Sequence, residues 1–406
     1  MTVKHFFKIG HVPTLVSSFL YFDISFMIWV ILGSTGTFIA EHLGLTSAEK
    51  GMMVAIPVLG GALLRIPMGL LADRWGGKKI GIIGMILTMV PLFWGWLLAD
   101  GLNEIYALGF LLGIAGASFA VALPLASRWY PKEYRGLAMG IAGAGNSGTV
   151  LATLFGPRLA EAYGWNAVFG LALIPLFIVL VIFCLFAKDC PTAVRPTKIV
   201  EYQRVFKRKE TWLFSFFYSL SFGGFVGLTS YLSIFFLDQY GVDKVTAGDF
   251  VTFIVLAGSC ARPIGGYLGD RYSGLSLIFW LFIGAFAALF LVGILPPLSV
   301  SLPLLLLTFL FLGAANGAVF QAISEYFMKE VGLVTGIVGA AGGLGGFFLP
   351  NILGMFKQWT NSYTYGFWLI SATILTAVYL VAKLQKESAR NRRQNDEQIK
   401  TATIPK

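Results

Sequence analysis

A chain of 406 residues with 57% hydrophobic residues, 12% charged residues and a mean hydropathy of +0.77 has too little polar surface to enclose an apolar core in water. It reads as a polytopic membrane protein, and its formal charge of +10 sits in the loops and tail. That basic tail is short and lacks interleaved aromatic residues, so no nucleic-acid partner is expected.

Twelve apolar stretches of about 20 residues follow one another, each able to cross a hydrocarbon core roughly 30 Å thick. The first, 13–40, follows a polar lead containing Lys4 and Lys8 and has no small-residue cleavage site after it, so it is expected to be a retained helix. It carries Asp23 in Tyr21-Phe22-Asp23-Ile24-Ser25-Phe26. The second, 51–72, contains Arg65 within an apolar run and leads into Gly69-Leu-Leu-Ala-Asp73-Arg74-Trp75-Gly76-Gly77-Lys78-Lys79. An arginine near the middle of a membrane helix costs roughly 2.5–3.5 kcal/mol on insertion scales, which makes it a functional-site candidate facing a cavity. Spans follow at 80–99, 105–128, 135–160 and 166–187, and the fifth carries Gly140-Ile-Ala-Gly143-Ala-Gly145-Asn146-Ser147-Gly148. Most glycines of such a run serve close helix approach in a bilayer.

The stretch 188–211 is the one long polar interruption, and it divides a six-span half, 1–187, from a second half, 212–385, with a basic tail at 386–406. Spans are expected at 212–237, 247–269, 275–296, 302–327, 332–356 and 363–384. The eighth holds Arg262, eight residues before Asp270-Arg271, just as Arg65 precedes Asp73-Arg74. Arg65 and Arg262 lie 197 residues apart, and the glycines of span 5 find partners at nearly the same shift in Gly336-Ile-Val-Gly339-Ala-Ala-Gly342-Gly343 of span 11. Two six-helix repeats with one intramembrane cation each describe a transporter with a central site for a small anion. Asp249 and Glu325, close to predicted span ends, read as interfacial.

The loop after span 2 resembles the signature of the major facilitator superfamily, and Gly266-Tyr-Leu-Gly-Asp270-Arg271 is its degenerate echo. Its physical use is a charge latch at Asp73, Arg74, Asp270 and Arg271 that holds helix ends together in one access state. The paired glycine-rich segments, taken with the two arginines, resemble the nitrate/nitrite porter family of that superfamily, closest to the bacterial assimilatory type. The resemblance implies an all-α membrane protein with the superfamily's fold, twelve transmembrane helices in two pseudo-symmetric six-helix halves. It also implies that Arg65 and Arg262 grip the anion, that Asn146 contacts it, and that Phe26, Phe119, Tyr218 and Phe222 sandwich it. The chemistry agrees: a guanidinium is flat, permanently charged and donates paired hydrogen bonds, as a planar oxyanion requires. Two arginines around one monovalent anion leave a positive charge over, for which Asp23 is the nearest candidate, either to balance it or to carry a coupling proton.

Basic residues fall on one side of the membrane if both termini are cytoplasmic, as expected for a bacterial inner (plasma) membrane protein. His5, His11 and His42 make no metal site, Cys184, Cys190 and Cys260 no disulfide framework, and no phosphate-binding loop is present, so neither a cofactor nor an enzyme activity is expected. The function implied is monomeric, secondary active nitrate import with nitrite as a further substrate, driven by protons. Nitrate/nitrite exchange and small organic anion transport stand as alternatives.

Overall fold

A computed structural model describes residues 8–191, 204–327 and 331–402. Lys4 and, in the linker, Arg195, Lys198 and Tyr202 lie outside the described residues. Among the described residues eleven helices are long and apolar enough to cross a membrane, and no metal-holding cluster occurs. The remaining span, the fifth, is broken: Lys132–Gly143 and Gly148–Tyr163 are α-helical, and Ala144–Ser147 between them is a 3-10 turn. Span 1 is likewise interrupted, running Val12–Trp29, Ile31–Ser34 and Gly36–His42. Span 4 is interrupted by a turn at Ala117 and Ser118, between Leu102–Gly116 and Phe119–Ser127.

Local chemistry sets the ends of span 2, Ser47–Trp75. Thr46 and Glu49 form a reciprocal capping box at its start, and Gly76, at φ 95°, turns the chain out of it. Span 8, Lys244–Tyr272, is built alike, with Asp243 accepting from the Thr246 amide and Ser273, at φ 74°, ending it. The correspondence extends along the chain at the spacing that separates the two arginines. Gly44 and Gly241 share left-handed φ values of 63° and 65°, and Gly164 and Asn361 have 84° and 53°. The internal repeat is therefore a property of the backbone as well as of the sequence.

The two halves meet tightly at the end opposite the Asp73 and Asp270 loops. Spans 2 and 11 (Val331–Thr360) touch through small residues: a β-carbon at Gly343 would lie 2.7 Å from that of Ala62, and one at Gly51 2.6 Å from the Pro350 carbonyl. Ion pairs join the halves at the same end. Lys50 of span 2 meets Asp238 of span 7 (Lys209–Tyr240) at 3.0 Å, Lys244 pairs with Glu41, and Arg158 of span 5 grips Asp249 through two bonds of 2.7 and 2.9 Å. The first two pairs line a cavity of about 350 Å³ between the halves. At the basic end Gly140 and Gly336 are exposed, and a β-carbon on either would meet nothing within 4 Å among the described residues.

Candidate functional site

Arg65 is 3% exposed in the middle of span 2. Its Nε donates to the carbonyl of Gly116 at 3.2 Å, an acceptor at the helix end created by the break in span 4. Its Nη1 donates at 2.5 Å to the carbonyl of Gly339 on span 11, so one guanidinium ties both halves together. Nη2 is buried without a hydrogen-bond partner among the described residues. Three rings surround the cation, Trp29, Phe119 and Phe222, with centroids 5.3, 5.2 and 5.1 Å from Cζ. Gly61 and Gly116 make room for the indole, since a β-carbon on either would lie within 2.8 Å of it.

Arg262 stands on the same slab of rings at its far side. Tyr218 stacks on Phe222 at 5.1 Å with an interplanar angle of 5°, and Phe320 lies 4.8 Å from Tyr218 and 5.9 Å from the Arg262 Cζ. Arg262 Nη1 is likewise buried without a hydrogen-bond partner among the described residues. The Tyr218 hydroxyl, next to that guanidinium, makes no well-formed hydrogen bond. The arginines are close enough to act on each other electrostatically, and neither makes an ion pair among the described residues. Two unneutralised guanidinium groups across aromatic faces, each with a buried donor unused, form an environment for a small flat anion.

Of the other residues expected at the site, Phe26 forms a layer behind the slab, 4.9 Å from Trp29 and 6.3 Å from Phe222. Asn146 is buried in the 3-10 turn of span 5, its Oδ1 without a partner. Asp23 faces that same turn. Ser147 Oγ donates to Asp23 Oδ1 at 2.6 Å. Gly145 and Gly148 permit this approach, because a β-carbon at Gly148 would sit 1.8 Å from the Asp23 carbonyl oxygen. On span 11, Gly339 supplies the carbonyl for Arg65, Gly342 packs beneath Tyr218 and Gly343 meets span 2. A β-carbon at Gly143 would meet Leu123 at 3.8 Å, while one at Gly140 or Gly336 would meet nothing within 4 Å among the described residues.

At the basic loops, Asp73 is bonded to Arg128 at the end of span 4, within its own half. Arg74 is exposed. Asp270 is exposed and makes no ion pair among the described residues, and Arg271 lies over the ring of Tyr272 at 5.6 Å. The repeat explains the difference, since the position equivalent to Arg128 holds Glu325 in the second half, a like charge to Asp270.

Sequence reasoning missed Trp29 and Phe320 at the arginines and Arg128 as the partner of Asp73. Arg128 had a usable signal, a cation following span 4 on the side of Asp73. The two rings had none among 10 tryptophans and 36 phenylalanines.

The profile of the Major Facilitator Superfamily matches residues 16–350. A nitrite extrusion protein of Bacillus subtilis (strain 168) is 37% identical to the chain over 88% of its length and 90% of the relative's. The probable nitrate/nitrite transporter NarK2 of Mycobacterium tuberculosis is 34% identical over 93% and 98%. The probable nitrate/nitrite antiporter NarK1 of Thermus thermophilus is 30% identical over 94% of each. A crystal structure of a bacterial homologue of the human lysosomal transporter Spinster superposes with a TM-score of 0.70 at 18% identity, covering 91% of this chain and 96% of that one, a likeness of fold. With the helical architecture, the repeat and these matches together, the chain belongs to the nitrate/nitrite porter family of the Major Facilitator Superfamily.

Proposed function

We propose that the protein is a secondary active transporter that brings nitrate, with nitrite as a further substrate, across the bacterial plasma membrane by alternating access. The observation that carries this reading is the arginine pair, whose buried Nη donors lack acceptors on either side of a Trp29–Phe222–Tyr218–Phe320 slab. Each guanidinium offers hydrogen bonds in a plane, and the ring faces favour a planar ion over a tetrahedral one. The names of the relatives, nitrate and nitrite transporters among them, support the same substrate class.

Protons supply the drive in this reading, and Asp23 is the carboxylate that carries them. Two features support it: the group is buried within span 1, and it bonds the turn that holds Asn146. Nitrate/nitrite exchange is the second reading. It is favoured by the placement of Asp23 against Ser147, away from any ion pair with the arginines, and by the antiporter name of the Thermus relative. Uptake by purified protein in liposomes separates the two. Symport predicts nitrate accumulation that follows an inward proton gradient with no internal nitrite. Accumulation that ignores the gradient and demands internal nitrite establishes exchange, and absence of any nitrate flux overturns both.

A further inference from the structure

The repeat aligns backbone duties at a constant shift through the turns at Gly44 and Gly241, Gly76 and Ser273, and Gly164 and Asn361. Contacts between spans obey it too. A β-carbon at Gly69 would lie 3.5 Å from that of Ala120, and the equivalent Gly266 would come 4.0 Å from the equivalent Gly317. The residues just before these partners, Phe119 and Asn316, therefore occupy one scaffold position in the two halves. Phe119 lies against Arg65, its ring 5.2 Å from the guanidinium carbon. Beside Arg262, the same position holds a carboxamide.

Asn316 is 2% exposed, and its Oδ1 is buried with no hydrogen bond. Its direction follows from its neighbours along span 10, the helix Leu298–Tyr326. Leu312, one turn earlier, contacts Gly224 of span 7, and Phe320, one turn later, contacts Tyr218 and Arg262. Residues four apart share a helix face, so Asn316 lies on the site-facing side between them. Gly317, the next residue, packs on the backbone carbonyl of Arg262. Packing does not require an amide here, since Phe fills the matching place, and a buried Oδ1 without a partner is costly unless the carboxamide turns to meet a ligand.

We infer that Asn316 is a specificity-determining residue whose carboxamide, turned so that Nδ2 takes the place of the unpartnered Oδ1, donates an N–H to an oxygen of the anion held at Arg262. This rests on the nitrate and nitrite reading of the site and adds the basis on which the two are told apart. Nitrite has two oxygens, both taken up by the guanidinium groups. Nitrate has a third in the same plane, and without a donor that oxygen would enter a site walled by aromatic rings. The first half supplies Phe119 where the second supplies Asn316, so the third oxygen is read at the Arg262 side.

Equilibrium binding of nitrate and of nitrite to the purified full-length protein, wild type and Asn316→Leu, tests this. Loss of a hydrogen bond to a charged partner should raise the Kd for nitrate by about 10- to 100-fold while nitrite stays within about threefold. Asn316→Ala, which only removes atoms, should give the same selective loss and carries the test if the leucine variant does not fold. A variant that keeps the wild-type ratio of the two affinities, or that weakens both anions equally, overturns the assignment of Asn316 and leaves the site reading intact. Wild-type protein that binds neither anion overturns the site reading itself, and the role of Asn316 with it.

Discussion

The two arginines differ in how much of their hydrogen bonding the protein consumes. Arg65 spends two donors on the carbonyls of Gly116 and Gly339 and lies within three rings, whereas Arg262 touches one ring and is only partly buried. Lysine at either position keeps the charge and loses the planar fork, so nitrate affinity should fall by about 10-fold or more in Arg65→Lys and in Arg262→Lys, as titration of purified protein would measure. The loss should be greater for Arg65→Lys, which also gives up the bridge to span 11. Near wild-type binding in both variants would move the anion elsewhere. These arginines were legible in the sequence because a cation in an apolar helix stands out against its surroundings. Trp29 and Phe320 were not, because a ring in an apolar helix looks the same whether it packs against lipid, core or ligand.

Among the elements, span 5 departs most from what its composition suggested. Its glycines were read as a surface for close approach, which Gly145 and Gly148 bear out against span 1, but nothing in the run announced the 3-10 turn. The turn is tied to span 1 by a tertiary bond, since Asp23 accepts from Ser147 across the helix interface. In Asp23→Asn the amide oxygen can still accept the Ser147 bond, so the turn and Asn146 should stay in place. Nitrate binding and nitrate-for-nitrate exchange should then persist, and accumulation driven by a proton gradient should disappear if Asp23 carries the proton. Gradient-driven uptake that survives in this variant would assign Asp23 to structure alone. Span boundaries were legible to within a turn or so from the apolar runs. The exception is span 12, whose helix continues past residue 385 to Ala402 because the tail, though polar, contains no helix breaker between Leu384 and Ala402.

At the scale of the whole molecule, the halves are joined at one end by glycine contacts and three ion pairs. Each pair is partly exposed, so solvent weakens it and none holds the end closed alone. Removing all three in Glu41→Gln/Asp238→Asn/Asp249→Asn should lengthen the distance between spin labels placed on the loops at Gly44 and Gly241. An unchanged distance distribution would show that the packing of spans 2 and 11 closes this end unaided. The division into halves was legible because the polar stretch 188–211 and the arginine spacing agree on it. Which end would be closed was not, because the cross-half pairs join residues as far apart in sequence as Glu41 and Lys244.

The bond from Arg65 to the Gly339 carbonyl bears on the rate at which such a protein can cycle. Any motion that parts span 2 from span 11 at this level must break it and strand a buried cationic donor. An anion at Arg65 offers that donor an acceptor that travels with span 2, so a loaded protein is spared a loss that an empty one must bear. Reorientation without cargo then becomes the slow step, and anion on the far side should speed flux from the near side, the behaviour known as trans-acceleration.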